Sequence, residues 1–149
     1  MLPPRTLCVM WTRTPKWPAY ACAAGLVLYA VEKAYYATQH RLGLPGGARV
    51  PADAYADLGH VAVRQGALAA FGVAGAAIAL ATVAKWRPPR ALLLCALWGA
   101  LIPLAAGAPY VVGMVIADGP SRLGGALLSL VMAGLWLTMT RSYQLRTRR

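Results

Sequence analysis

Four long apolar stretches run along this chain, and each is close to the length that a helix needs to cross a lipid bilayer. A helix crosses the hydrocarbon core in about 20 residues, and its backbone hydrogen bonds must be satisfied within the segment. The sequence therefore predicts an all-α, polytopic membrane protein: a four-transmembrane-helix bundle that forms a single transmembrane domain over residues 1–149. The predicted spans cover residues 17–39, 55–84, 91–117 and 122–140.

The composition agrees with lipid as part of the solvent. Charged residues make up 13% of the chain and hydrophobic residues 59%, whereas an ordinary soluble domain carries about 25% charged residues. A chain this apolar is not intrinsically disordered. Its three cysteines, Cys8, Cys22 and Cys95, show no C-x-x-C spacing, which argues against a disulfide framework and a zinc ribbon.

Basic residues dominate the charge and mark the orientation. The net charge is +11, but the basic residues lie at the ends of apolar stretches and not on one soluble face, so membrane lipid is the expected partner and nucleic acid is not. Ten of the 15 Lys and Arg residues lie in the N-terminal segment, the connection between the second and third spans, and the C-terminal tail. The positive-inside rule then predicts a multi-pass protein of the plasma membrane, N-in and C-in, with both termini cytoplasmic.

Ionisable residues inside the first two spans predict a polar pocket in the outer leaflet, because such residues are expensive in lipid and usually functional. Glu32 and Arg64 both lie roughly 9 to 13 Å below the outer surface at 1.5 Å per residue. Asp57, His60 and Arg64 are spaced three and four apart, which places them on one face of a continuous helix. Lys33 is expected to snorkel toward the headgroups. The predicted ligand-binding residues are Glu32, Tyr36, Asp57, His60, Arg64 and Tyr110.

Several functions fit this pocket. The leading hypothesis is binding of a lipid or small hydrophobic ligand, or a role as an accessory subunit of a larger membrane complex. The main alternative is a membrane-embedded enzyme of the terpene-cyclase type, in which Glu32 or Asp57 is the catalytic acid on an isoprenoid-like substrate. A proton-coupled small transporter is a third hypothesis. A purely structural interpretation is a buried ion pair between Glu32 and Arg64 that joins the first two helices.

No cofactor or metal site is predicted, since His40 and His60 are the only histidines and neither lies well inside a predicted span. Small residues spaced four apart are typical of close helix contacts in lipid, or alternatively of a homodimer interface. They recur at Ala62, Gly66, Ala70 and Ala74 on the second span, and at Gly125, Ser129 and Ala133 on the fourth.

The N-terminal third carries three short motifs: Trp17-Pro18-Ala19-Tyr20, Leu28-Tyr29-Ala30, and Arg41-Leu42-Gly43-Leu44-Pro45-Gly46. In these motifs the chain resembles uncharacterised small four-helix integral membrane proteins of actinobacteria. The resemblance covers residues 17–47, and the Glu32-Lys33 pair departs from the more apolar pattern expected there. It implies four membrane helices and no particular activity or catalytic residue.

Overall fold

The described part of the chain is entirely helical, which confirms the all-α prediction. A computed structural model describes residues 15–42, 59–84, 89–118 and 123–147, with the backbone alone for 104–112 and 114–118. Over these ranges there are four helices and no strand. They are α1 (Trp17–Thr38), α2 (Val61–Ala81), α3 (Arg90–Asp118) and α4 (Leu123–Thr147).

Helices α1 and α3 begin and end within one residue of their predicted bounds. Helix α4 begins within one residue of its predicted start. Pro18 occupies the first turn of α1, where its missing N–H is not needed. Helix α3 runs unbroken through Pro103 and Pro109. Helix α4 continues to Thr147 instead of ending at residue 140, so most of the basic tail is helical.

The second helix begins later than the sequence pattern predicts. His60 precedes it in a left-handed conformation, with φ 65° and ψ 34°, and a right-handed helix cannot pass through such a residue. The prediction that one helix continues through His60 to Arg64 is therefore wrong. Asp57 itself lies outside the described residues.

Side chains from all four helices meet in one apolar core. It lies where α1 and α3 begin and α2 and α4 end, a region we call the closed end. The indole Nε1 of Trp136 donates a hydrogen bond to the carbonyl oxygen of Leu97 at 2.9 Å, which ties α4 to α3. The core residues are Ala19, Cys22, Ala23, Ala76, Ala79, Leu93, Leu97, Trp136, Met139 and Tyr143.

Helices α1 and α2 approach each other closely at Gly72. A Cβ atom on Gly72 would lie 3.0 Å from the Cβ of Ala30 and 3.0 Å from the carbonyl oxygen of Leu26. Such close approach of two backbones is what small residues permit in membrane helices. The contact fixes how α1 and α2 face each other.

The predicted stripe of small residues on the second span does not make this contact. Gly66, Ala70 and Ala74 are exposed and Ala62 is half-buried, and a Cβ on Gly66 would meet no atom within 4 Å. The prediction of an internal contact face there is wrong. The face of α2 that is buried carries Gln65, Gly72, Ala76 and Ala79.

Large apolar side chains on every helix face outward. Val31 is 63% exposed, Phe71 74%, Ile102 71% and Val131 57%. Two helices, Val61–Ala81 and Leu123–Thr147, are long and apolar enough to cross a membrane, and only 17% and 22% of their most apolar windows are buried. The core helix of a soluble protein would be mostly buried. The other two spans and the orientation stay predictions.

Candidate functional site between the first two helices

Two polar side chains are buried where α1 packs on α2. Lys33 is 3% exposed and Gln65 is 1% exposed. They are the immediate sequence neighbours of Glu32, which is half-buried, and Arg64, which is exposed. Because each step along a helix turns the side chain by about 100°, the neighbour of a predicted residue can face inward while that residue faces out. The exposure of Arg64 argues against a buried Glu32–Arg64 pair.

Aromatic rings surround the Lys33 ammonium. Its Nζ lies 5.5 Å from the ring centroid of Tyr29 and 5.9 Å from that of Tyr36, within the range of a cation–π interaction. The three residues are four and three positions apart along α1, so they share one face of the helix. The prediction that Lys33 snorkels to the surface is wrong, because its side chain is only 3% exposed and its ammonium lies beside two tyrosine rings of the same helix.

The backbone carbonyl group of Arg41, just after the end of α1, faces Gln65. His40 adopts φ 49°, and the N–H groups of His40 and Arg41 donate to the carbonyl oxygens of Ala37 and Tyr36 at 3.2 and 3.1 Å. This is the Schellman arrangement, in which the left-handed position is usually glycine. It leaves the carbonyl oxygen of Arg41 accepting a 3.2 Å hydrogen bond from Gln65 Nε2.

The other end of the same amide is unsatisfied. Gln65 Oε1 is buried and has no hydrogen-bond partner among the described residues. A buried acceptor without a donor costs about 1–3 kcal/mol, so native structures seldom contain one without a functional or solvent explanation. This atom is the most specific chemical feature of the site.

The left-handed geometry of His40 yields one prediction. Changing His40 to Gly is expected to raise the free energy of unfolding by about 1 kcal/mol, because glycine adopts this conformation without the steric cost that a Cβ adds. Thermal unfolding in detergent measures the change. His40→Ala keeps the steric cost and provides the control; an equal gain with alanine would contradict the explanation.

The structure brings together only part of the predicted pocket. Glu32 and Tyr36 lie on α1 beside Lys33, whereas His60 is exposed ahead of α2. Asp57 lies outside the described residues, and Tyr110 lies on α3 where only the backbone is described. Tyr29 and Gln65 were missed as site residues; the three- and four-residue spacing around Lys33 is the signal that would have found Tyr29.

The described side chains of the site supply an ammonium, two phenols and an amide. Such a set can hold the polar head of a ligand by hydrogen bonds and charge, within otherwise apolar surroundings. Within the four described ranges, no group of three or more His, Cys, Asp or Glu side chains is placed to hold a metal ion.

Comparisons with protein-family models, with curated proteins and with solved structures find no match to this chain. A helical fold by itself does not imply an activity, because function depends on the chemistry of particular sites. The function must therefore be argued from the Lys33 and Gln65 region.

Proposed function

We propose that this chain is a small multi-pass protein of the plasma membrane that binds a lipid or small hydrophobic ligand. The polar head of the ligand lies at Gln65, in the outer half of the bilayer, and its apolar body lies along the helices. Both termini are cytoplasmic in this proposal, and the four helices cross the membrane as a bundle.

The apolar outer surface supports the membrane location. Each helix contains a stretch without Asp, Glu, Lys or Arg: residues 17–31 on α1, 65–81 on α2, 91–117 on α3 and 123–140 on α4. Large apolar side chains on these stretches are exposed, and monomeric soluble proteins rarely expose large contiguous apolar patches. A lipid environment removes the cost of that exposure.

The observation that carries the ligand proposal is Gln65 Oε1, which has no hydrogen-bond partner within the described part of the chain. A hydroxyl or amide N–H of a ligand would supply the donor that this buried acceptor lacks. Gln65 Nε2 already donates to the Arg41 carbonyl oxygen, so the orientation of the amide is fixed and the acceptor capacity of the buried Oε1 is unused. A fixed acceptor in an apolar environment gives orientation and specificity to a mostly hydrophobic ligand.

The proposal predicts the effect of replacing Gln65 by leucine. We expect at least a twofold and up to about a tenfold loss of the co-purifying ligand, because one hydrogen bond contributes about 0.5–1.5 kcal/mol. The free energy of unfolding should change by less than about 1 kcal/mol, because removing an unsatisfied buried acceptor offsets the loss of the bond to Arg41. Native mass spectrometry measures ligand occupancy, and thermal unfolding in detergent measures stability.

The matched control is Gln144→Leu, the same change at a half-buried position of α4 near the closed end. It should leave ligand occupancy unaltered. Unchanged occupancy in Gln65→Leu would reject the ligand site. Co-purification of a protein in place of a small molecule, retained in Gln65→Leu, would favour an accessory subunit.

The second candidate function is a membrane-embedded enzyme that acts on an isoprenoid-like substrate. The half-buried position of Glu32, directly before Lys33 in α1, favours it, because a carboxylic acid in an apolar site can donate a proton to such a substrate. Chemical conversion of the co-purified molecule by wild type but not by Glu32→Gln distinguishes an enzyme from a binding protein.

A further inference from the structure

The closed end of the protein gathers positive charge from separate parts of the chain. Lys16 precedes α1, Arg90 is the first residue of α3, and Arg141 and Arg146 lie near the end of α4. Lys16, Arg90 and Arg141 are exposed and Arg146 is half-buried. Six further basic residues belong to the adjoining segments outside the described residues: Arg5, Arg13, Lys85, Arg87, Arg148 and Arg149.

Acidic residues do not offset this charge. Glu32 lies in the opposite half of α1, and Asp118 ends α3 at the far side from Arg90. The remaining two, Asp53 and Asp57, belong to the connection between α1 and α2 and lie outside the described residues. The segments at the closed end therefore carry one sign of charge, which attracts anions.

Hydrogen bonds fix part of this charge on the helices. Arg146 Nη2 donates to the carbonyl oxygen of Thr82 at 3.4 Å, and Arg90 Nε donates to Thr147 Oγ1 at 3.1 Å. These two contacts join the last turn of α4 to the end of α2 and the start of α3. Arg90 and Arg146 are thus held in place by contacts between the folded helices.

We propose that the closed end is a binding surface for the phosphate groups of anionic phospholipids in the adjoining leaflet. Arginine binds phosphate oxygens in a forked geometry, and each Lys or Arg near an anionic membrane surface strengthens attachment about fivefold. Trp17, beside Lys16, is 59% exposed, and tryptophan favours the level of the headgroups. This surface needs the membrane location proposed above but is independent of the Gln65 ligand site.

The test uses the double variant Lys16→Gln/Arg141→Gln. Both side chains are exposed, and neither makes a hydrogen bond within the described ranges, so folding should be preserved. The full-length protein in neutral detergent is titrated with phosphatidylglycerol or with phosphatidylcholine, and native mass spectrometry measures the lipid-bound fraction. Wild type should prefer phosphatidylglycerol, and the double variant should lose about 25-fold of that preference, about fivefold for each charge.

The control variant is Arg49→Gln/Arg122→Gln, which removes the same charge from the connections that follow α1 and precede α4. Both positions lie outside the described residues. This variant should retain the preference for phosphatidylglycerol. Equal losses in the two double variants would overturn the proposal, because net charge alone would then explain binding.

Two other outcomes also overturn it. If wild type does not prefer phosphatidylglycerol over phosphatidylcholine, the proposed phospholipid-binding surface is rejected. The ligand site at Gln65 is not affected by that result, because Gln65→Leu tests it separately. Displacement of phosphatidylglycerol by inorganic phosphate or by single-stranded RNA at equal concentration would identify a soluble anion as the occupant. Thermal unfolding of each variant confirms that the comparison is made between folded proteins.

Discussion

Replacing Trp136 by alanine is expected to lower the free energy of unfolding by about 3–5 kcal/mol. The side chain is 2% exposed and belongs to the core in which all four helices meet. Its removal leaves a cavity and also deletes the 2.9 Å hydrogen bond from Nε1 to the Leu97 carbonyl oxygen. Titration with a denaturing detergent in mixed micelles measures the change.

Two further variants separate the causes of this loss. Trp136→Phe keeps most of the ring but deletes the hydrogen bond, so its cost should be well below that of alanine. Trp98→Ala removes the same side chain from a position that is 45% exposed on α3, and it should cost less than about 1 kcal/mol, as is usual for an exposed site. A cost for Trp98→Ala equal to that of Trp136→Ala would contradict the described core.

Replacing Gly72 by leucine is expected to cost about 3 kcal/mol, at the upper end of the range for overpacking. The first added atom would already lie 3.0 Å from the Ala30 Cβ and from the Leu26 carbonyl oxygen. A backbone oxygen cannot move aside as the end of a flexible side chain can, so α1 and α2 would have to separate. Thermal unfolding in detergent measures the cost, and the separation should also lower the occupancy of a ligand at Gln65.

The matched control is Gly66→Leu on the same helix. Gly66 is exposed, and a Cβ there would meet nothing within 4 Å. Leucine has a higher helix propensity than glycine, so this variant should be neutral or more stable by about 1 kcal/mol. The reverse ranking of the two variants would mean that the stripe predicted from the sequence, and not Gly72, is the internal contact.

The comparison of Gly66 with Gly72 shows where sequence reasoning reaches its limit. Helix α2 is so rich in alanine and glycine that small residues spaced four apart occur on more than one face. An amphipathic helix reveals its buried face because polar residues alternate with apolar ones at the helical period. A helix that is apolar on every side carries no such signal, and the spacing rule selects the wrong face.

Because the sequence does not show which helix face is buried, it also predicts site residues that are one position away from the buried ones. The cost of ionisable groups within a span points to Glu32 and Arg64, but the buried polar side chains on these two helices are Lys33 and Gln65. A one-residue error turns the face by about 100°. The sequence predicts at what height along the helices the polar residues lie, but not which helix face carries them. The left-handed residue that ends the predicted helix is His60 and not a glycine, so the sequence gives no signal for it.

The sequence alone determined that this chain forms long helices, roughly where α1 and α3 begin and end, and where the basic segments lie. These properties follow from local composition and length, because a long apolar stretch in lipid must satisfy its own backbone hydrogen bonds. Tertiary structure decided which face of each helix is buried, that Gln65 Oε1 has no partner among the described residues, and that Arg90 and Arg146 are hydrogen-bonded between helices at the closed end. Those outcomes depend on contacts between distant segments, such as Gly72 against Ala30 and Arg146 against Thr82, and no local pattern encodes them.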